Sequence, residues 1–273
     1  MSVANPEVQM PSSDVGVTGP ARARIEERTL RTDRWWLAPM TTFVVFSGFV
    51  VYATWRAFSG VHYYASPYLS PFYSPCLGDC VEGASDFGQP FGWFPLSAAL
   101  IILIFPLGFR MTCYYYRKAY YRAFWLSPPA CGVAEPHLYY SGESRLPLFL
   151  NNLHRYFWYA AVLVGLVLSF DVVLAFRNED KEWGHMGLGT LLMLVNVIYI
   201  WLYTLSCHSC RHAVGGRLRH FSRHPVRYRL WTWVSRLNVK HARYAWISLF
   251  SVALVDLYIY LLASGRIDDV RFF

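Results

Sequence analysis

The sequence predicts an all-α membrane protein with five transmembrane helices, its N-terminus cytoplasmic and its C-terminus outside. Three observations predict this: the composition, five long apolar windows, and a lopsided distribution of Lys and Arg. Of 273 residues, 55% are hydrophobic and 18% aromatic while only 15% are charged, too apolar for a soluble domain of this length. A helix rising ~1.5 Å per residue needs about 20 apolar residues to cross a ~30 Å hydrocarbon core. Five windows supply them: Trp35–Phe58, Trp93–Cys113, Tyr156–Phe176, Gly187–Cys207 and Ala245–Ala263. The N-terminal segment holds five Lys and Arg, the stretch from Arg117 to Arg155 another five, and that from Arg211 to Arg243 nine, against four in the segments between. The positive-inside rule orients the chain accordingly.

Taken in order, residues 1–34 are polar and carry Pro6, Pro11, Gly16, Gly19 and Pro20 without a short apolar core before a cleavage site. They read as a cytoplasmic tail and not as a signal peptide. The membrane domain runs over 35–263. The first span leads to an outer loop, "VHYYASPYLSPFYSPC", too aromatic for a solvated linker and read as an ordered cap. Cys76 and Cys80 lie there, and an oxidising exterior makes them either a local disulfide or two free thiols. Past the second span, Tyr114 to Trp125 interleaves cations with aromatics and continues a helix until Pro128 and Pro129 stop it. Cys131 to Pro147 is turn-rich. After the fourth span, the loop from Arg211 to Lys240 opens on Gly215-Gly216 and continues "RYRLWTWVSRLNVKHARYAW", an interfacial amphipathic helix. Residues 264–273 form an external tail. Juxtamembrane Arg is already required by topology, so the net +8 is assigned to anionic lipid or an acidic partner and not to nucleic acid.

Chemistry concentrates at one depth. Cys113 closes the second span, His154 opens the third, Cys207 and Cys210 close the fourth in "SCHSCRH", and His241 opens the fifth. Two thiols and two imidazoles in one plane suit a His-ligated iron–sulfur centre of the Rieske type, [2Fe–2S]. The same groups also allow haem b held by His154 and His241, a structural zinc, or residues that only pack. Tyr114, Arg117, Arg155, Tyr156 and Trp231 sit at the same interface as a candidate quinone site, each also accounted for by the aromatic belt or the positive-inside rule. A second cluster lies toward the outside: Asp171, Asp256 and Asn196 within spans, with Arg56 ending the first. Intramembrane acids are costly. They point either to a proton path or outer quinone site, or to a structural Asp171–Arg56 pair.

The stretches "RMTCYYYRKAYYRAFWLSPPAC", "NNLHRYFWYAA" and "LSCHSCRH" resemble the membrane-anchor subunit of actinobacterial succinate dehydrogenase, the single-anchor, five-span, cytochrome b-like type. The resemblance covers about Trp35 to Ala263. It implies an enzyme subunit that is not itself catalytic for succinate, sited in a bacterial plasma membrane. It further implies a flavoprotein and a three-cluster iron–sulfur subunit docked on the cytoplasmic face, electron delivery to a membrane quinone, and room for a higher oligomer of the complex; the cations and aromatics of Tyr114–Trp125 and Arg211–Lys240 read as the docking surface. The topology is similar to that of di-haem anchors, whose cytoplasm-proximal haem is held from the second and fourth spans. Here those positions carry Cys113 and Cys207 or Cys210, and the first span has no His. The departure favours the mixed Cys/His centre over two haems. Two further classes stay open, a haem b cytochrome and a non-redox zinc-stabilised scaffold. A palmitoyl-transfer enzyme is disfavoured because no Asp-His-His-Cys sequence occurs.

Overall fold

The structure, a computed structural model, describes residues 31–273 apart from 79, 82, 83, 95, 135, 137–143, 145, 147, 179 and 217, and apart from the side chains of Arg117, Lys118 and Leu148. It is helical throughout, with one two-stranded hairpin among the described residues. The long helices are α1 (Leu37–Ser59), α2 (Ala98–Thr112), α4 (His154–Leu174), α5 (Leu188–Leu205) and α8 (His241–Ala263). The short ones are α3 (Tyr114–Ala123), α6 (His208–Gly215) and α7 (Pro225–Asn238). Four helices are long and apolar enough to cross a membrane, and α2 with α3 makes a fifth if the bent pair is taken as one span.

That bend departs from the expectation for the second window. The apolar run from Trp93 supplies no helix until Ser97, whose side chain caps α2 by accepting from Leu100 N at 3.3 Å. Fifteen residues remain, about 22 Å of helix, with Pro106 inside. Cys113 then takes an extended conformation (φ −60°, ψ 131°), and α3 leaves at 61° to α2. The basic helix Tyr114–Ala123 is therefore a separate element and not a straight continuation. α5 likewise ends at Leu205, and Cys207 (φ −67°, ψ 149°) breaks the chain before α6. The sequence places Cys207 and Cys210 on one helix face; the break puts them in different surroundings.

α5 packs against α8 and α4, and α4 against α2. Gly165 lets the Trp201 ring approach, 3.4 Å from where a Cβ would stand, while Trp201 Nε1 donates to Ser169 Oγ at 2.9 Å. Gly108 does the same for Phe157, which a Cβ would meet at 2.7 Å. Outward faces carry exposed apolar side chains such as Val51, Leu163, Leu166, Val195, Phe250 and Leu254, the surface that lipid covers.

At one end of the bundle the loop between α1 and α2 forms a fixed cap. Strands β1 (Tyr64–Ala65) and β2 (Tyr68–Leu69) pair antiparallel, Pro71–Tyr73 makes a 3₁₀ turn, and Cys76 is disulfide-bonded to Cys80. Three carboxylates hold this cap. Asp256 accepts from Tyr52 (2.5 Å), Arg56 (2.8 and 3.2 Å) and Ser70 (2.5 Å), and Asp171 accepts from Ser74 and from Ser85 (2.5 Å). Asp269, in the tail, accepts from Tyr68 (2.5 Å) and Tyr258 (2.6 Å). The expectation of an Asp171–Arg56 pair is thus corrected: Arg56 binds Asp256, because which acid faces α1 depends on how separate helices pack, and residue counting along the chain does not resolve that. Burial raises the Tyr68 phenol, and its hydrogen bond to Asp269 adds to the shift. The tail itself docks, with Leu188 N donating to Val270 O at 2.9 Å and Met186 N to Phe273 O at 3.0 Å.

Candidate metal centre

The other end carries the Cys and His residues. Because Cys113 and Cys207 each occupy an extended break at a helix C-terminus, their side chains are released from the helical surface and are buried, each 1% exposed. His154 and His241 are the first residues of α4 and α8. Two pairs result. Cys113 Sγ lies 3.2 Å from His241 Nε2, and Cys207 Sγ lies 3.1 Å from His154 Nε2. Among the described residues no three or more His, Cys, Asp or Glu side chains are gathered around a single metal-sized point. The arrangement is two two-ligand pairs.

Four rings run between them. His154 stacks on Phe109 (centroids 5.0 Å, planes 9° apart), Phe109 meets Tyr203 (5.1 Å), and Tyr203 stacks on His241 (5.1 Å, 15°). Arg110, 7% exposed, lies 5.0 Å over the Tyr203 ring and is fixed by Ala245 O (3.2 Å) and Ser248 Oγ (3.1 Å). The Tyr203 hydroxyl is buried and directed at the Cys113 sulfur. By donor type, two thiols and two imidazoles, the residues are ones that an iron–sulfur or a zinc centre uses.

The other candidate ligand, Cys210, is buried on α6 with its thiol pushed up by burial. His208, next to Cys207, is pushed down by burial and then by the Arg211 charge, and meets Tyr114 edge-on at 6.0 Å.

The five candidate quinone residues are not brought together. Tyr114 lines a surface cleft with Arg122, His208 and His241. Arg155 contacts His212 at 3.1 Å, Tyr156 is exposed, and Trp231 packs on Phe221 and Tyr228 beneath Arg211. The Arg117 side chain lies outside the described residues. What does form is an apolar pocket of about 500 Å³ between α1, α2, α3 and the start of α4, lined by Phe46, Thr112, Tyr120, Trp125, Asn151 and Phe157 among others. At its edge Tyr120 donates to Asn151 Oδ1 at 3.0 Å.

Thr112, Ser206, Phe109 and Tyr203 were not legible as site residues. One signal was present: each pairing cysteine follows a hydroxyl residue, Thr112-Cys113 and Ser206-Cys207.

Fold and site define a helical membrane protein with a Cys/His cluster at one end of its bundle. The chain matches the family described as actinobacterial succinate dehydrogenase subunit SdhC over residues 37–265. It belongs to that family, and so is a membrane subunit of an enzyme complex. It is similar to a chain of the Mycobacterium smegmatis Sdh1 complex in the apo form, at 56% identity and a TM-score of 0.83, over 94% of this chain and 99% of that one. No curated protein shows a significant match.

Proposed function

We propose that this subunit anchors a succinate:quinone oxidoreductase and carries electrons from the docked soluble iron–sulfur subunit to membrane quinone. The carrier is a [2Fe–2S] centre held by Cys113, Cys207, His154 and His241. The observation that carries the reading is the meeting of two thiols with two imidazoles, at 3.1 and 3.2 Å, at one end of the bundle. Cys113, Cys207, His154 and His241 would supply the four protein ligands of such a centre. A single zinc would gather all four ligands around one point, and a bis-His haem would turn both Nε2 atoms toward one iron. Here each Nε2 faces a thiol, and Phe109 and Tyr203 run between the rings.

When bound, such a centre supplies a one-electron carrier whose His ligands raise its potential toward that of quinones. The chain does the rest. Cys113 and Cys207 give up their thiol protons on ligation. Tyr203 aligns an O–H donor beside Cys113. Arg110 keeps a fixed positive charge over Tyr203, which favours the more negative state of the site. Arg155, Arg211, Lys240 and Arg243, in the segments flanking the four ligands, add positive charge to that of Arg110.

Quinone occupies the apolar pocket beside Thr112 and Trp125, open to lipid and one hydrogen bond from His154 (Thr112 Oγ1 to Nδ1, 2.9 Å). The membrane orientation is N-terminus cytoplasmic and C-terminus outside. It is supported by 19 Lys and Arg in the segments at the Cys/His end against four at the other, and by the disulfide at that other end. The flavoprotein and iron–sulfur subunits dock over α3 and α7, whose cations and aromatics are those of interface anchors.

Replacing His154 and His241 together with Ala tests the reading. Quinone reduction is lost while succinate oxidation by an artificial acceptor at the soluble subunits persists. Retained quinone reduction would overturn it.

A further inference from the structure

Each histidine of the centre is held from behind by a hydroxyl, and the two holdings are reciprocal. Thr112, next to Cys113, contacts His154 Nδ1 at 2.9 Å, and His154 faces Cys207. Ser206, next to Cys207, contacts His241 Nδ1 at 2.7 Å, and His241 faces Cys113. Each helix end that presents a thiol thus also braces the imidazole opposite the other thiol.

The direction of these bonds follows from donor counting. A hydroxyl has one hydrogen and two lone pairs. Thr112 directs its hydrogen to Gly108 O at 2.7 Å, and Ser206 directs its own to Tyr203 O at 3.0 Å, one of the last carbonyls of α5. Each oxygen therefore accepts from the imidazole, which places the ring proton on Nδ1 of both His154 and His241. A neutral imidazole has one such proton, so both Nε2 atoms are bare, and both point at a thiol. Thr112 and Ser206 are 7% and 0% exposed, so water does not compete for these bonds.

We propose that Thr112 and Ser206 are paired positioning residues that fix the Nδ1–H tautomer and ring angle of the two histidines, so that Nε2 is the ligating atom on both sides. The inference rests on the Cys113/Cys207/His154/His241 centre described above. An acceptor behind a ligating imidazole raises its basicity and strengthens metal retention. Removing it weakens retention and makes the centre easier to reduce.

The test uses the intact complex carrying Thr112→Val or Ser206→Ala, with Thr112→Ser and Ser206→Thr as hydroxyl-preserving partners. It follows the [2Fe–2S] EPR signal of the anchor under chelator challenge and in a redox titration. Expected for Thr112→Val and Ser206→Ala are about 10- to 100-fold weaker metal retention and a reduced-to-oxidised ratio raised at least about three-fold at fixed potential, where ten-fold is about 59 mV for one electron. Thr112→Ser and Ser206→Thr restore both. Wild-type behaviour in the hydroxyl-deleted proteins would overturn the inference and leave the centre standing. If a deleted protein loses the centre during assembly, retention by its hydroxyl-preserving partner supports the inference and loss in both overturns it. A wild-type complex with no anchor signal at all would instead refute the centre, and the inference with it.

Discussion

Asp256→Asn isolates the electrostatics that clamp the outer cap. Arg56 and Asp256 are both fully buried, bonded at 2.8 Å. The remaining guanidinium hydrogens reach Ser59 Oγ (2.9 Å), Val61 O (3.2 Å) and His62 O (3.2 Å), so the cation is completely engaged. Asparagine keeps the volume and one acceptor but removes the counter-charge and turns an amide donor toward Arg56, Tyr52 or Ser70. Breaking one side of a buried pair costs about 3–5 kcal/mol, or roughly two to three and a half decades in the folded-to-unfolded ratio. Replacing both partners, as Arg56→Met with Asp256→Leu, removes the uncompensated charge and lands within about 2 kcal/mol of wild type. Chemical denaturation of the purified complex in detergent, followed through the Trp fluorescence of the anchor, measures the cycle. An Asp256→Asn cost below about 1 kcal/mol, or a double variant as unstable as the sum of its singles, would refute the account of this pair as a coupled buried unit.

Two further outcomes follow from packing and from the second carboxylate. Gly108→Ala drives a Cβ into the Phe157 ring at 2.7 Å; it lowers stability by about 1–3 kcal/mol in the same assay and loosens the Thr112–His154 contact one turn away. Asp171→Ala leaves Ser74 and Ser85 without the carboxylate they share, so hydrogen exchange across residues 74–86 quickens while α4 stays protected. Unchanged exchange there would show that the disulfide alone holds that part of the cap. A reporter fused after Gly265 is active only outside the cytoplasm, and cytoplasmic activity would reverse the orientation.

Hydropathy located the spans because lipid exposure demands long apolar runs whatever the packing. α1, α4, α5 and α8 lie within a few residues of their windows. It misjudged the second span, since "FGWFPLS" is apolar without being helical, and a window cannot see that α2 begins only at the Ser97 cap. The breaks at Cys113 and Cys207 were equally hidden. Both residues sit in apolar or aromatic surroundings that read as continuous helix, yet the breaks are what turn the thiols inward. Coincidence of depth did bring Cys113, Cys207, His154 and His241 onto one list. That Cys207 meets His154 while Cys210 lies apart on α6 depends on the extended break at Cys207, which no spacing along the chain encodes. Partners of the buried acids were illegible for the same reason: Asp171 and Asp256 differ only in which serines and cations neighbouring elements place against them. The candidate quinone residues drawn from the interface belt do not converge on one pocket, because belts select for amphipathic side chains all around a bundle.

The most direct test of the central claim is EPR of the reduced complex, with Cys113→Ala, Cys207→Ala and Cys210→Ala compared to wild type. A [2Fe–2S] signal additional to those of the soluble iron–sulfur subunit is expected in the wild type and in Cys210→Ala, and is absent from Cys113→Ala and Cys207→Ala. A signal that survives loss of Cys113 or Cys207, or a haem spectrum in its place, would contradict it.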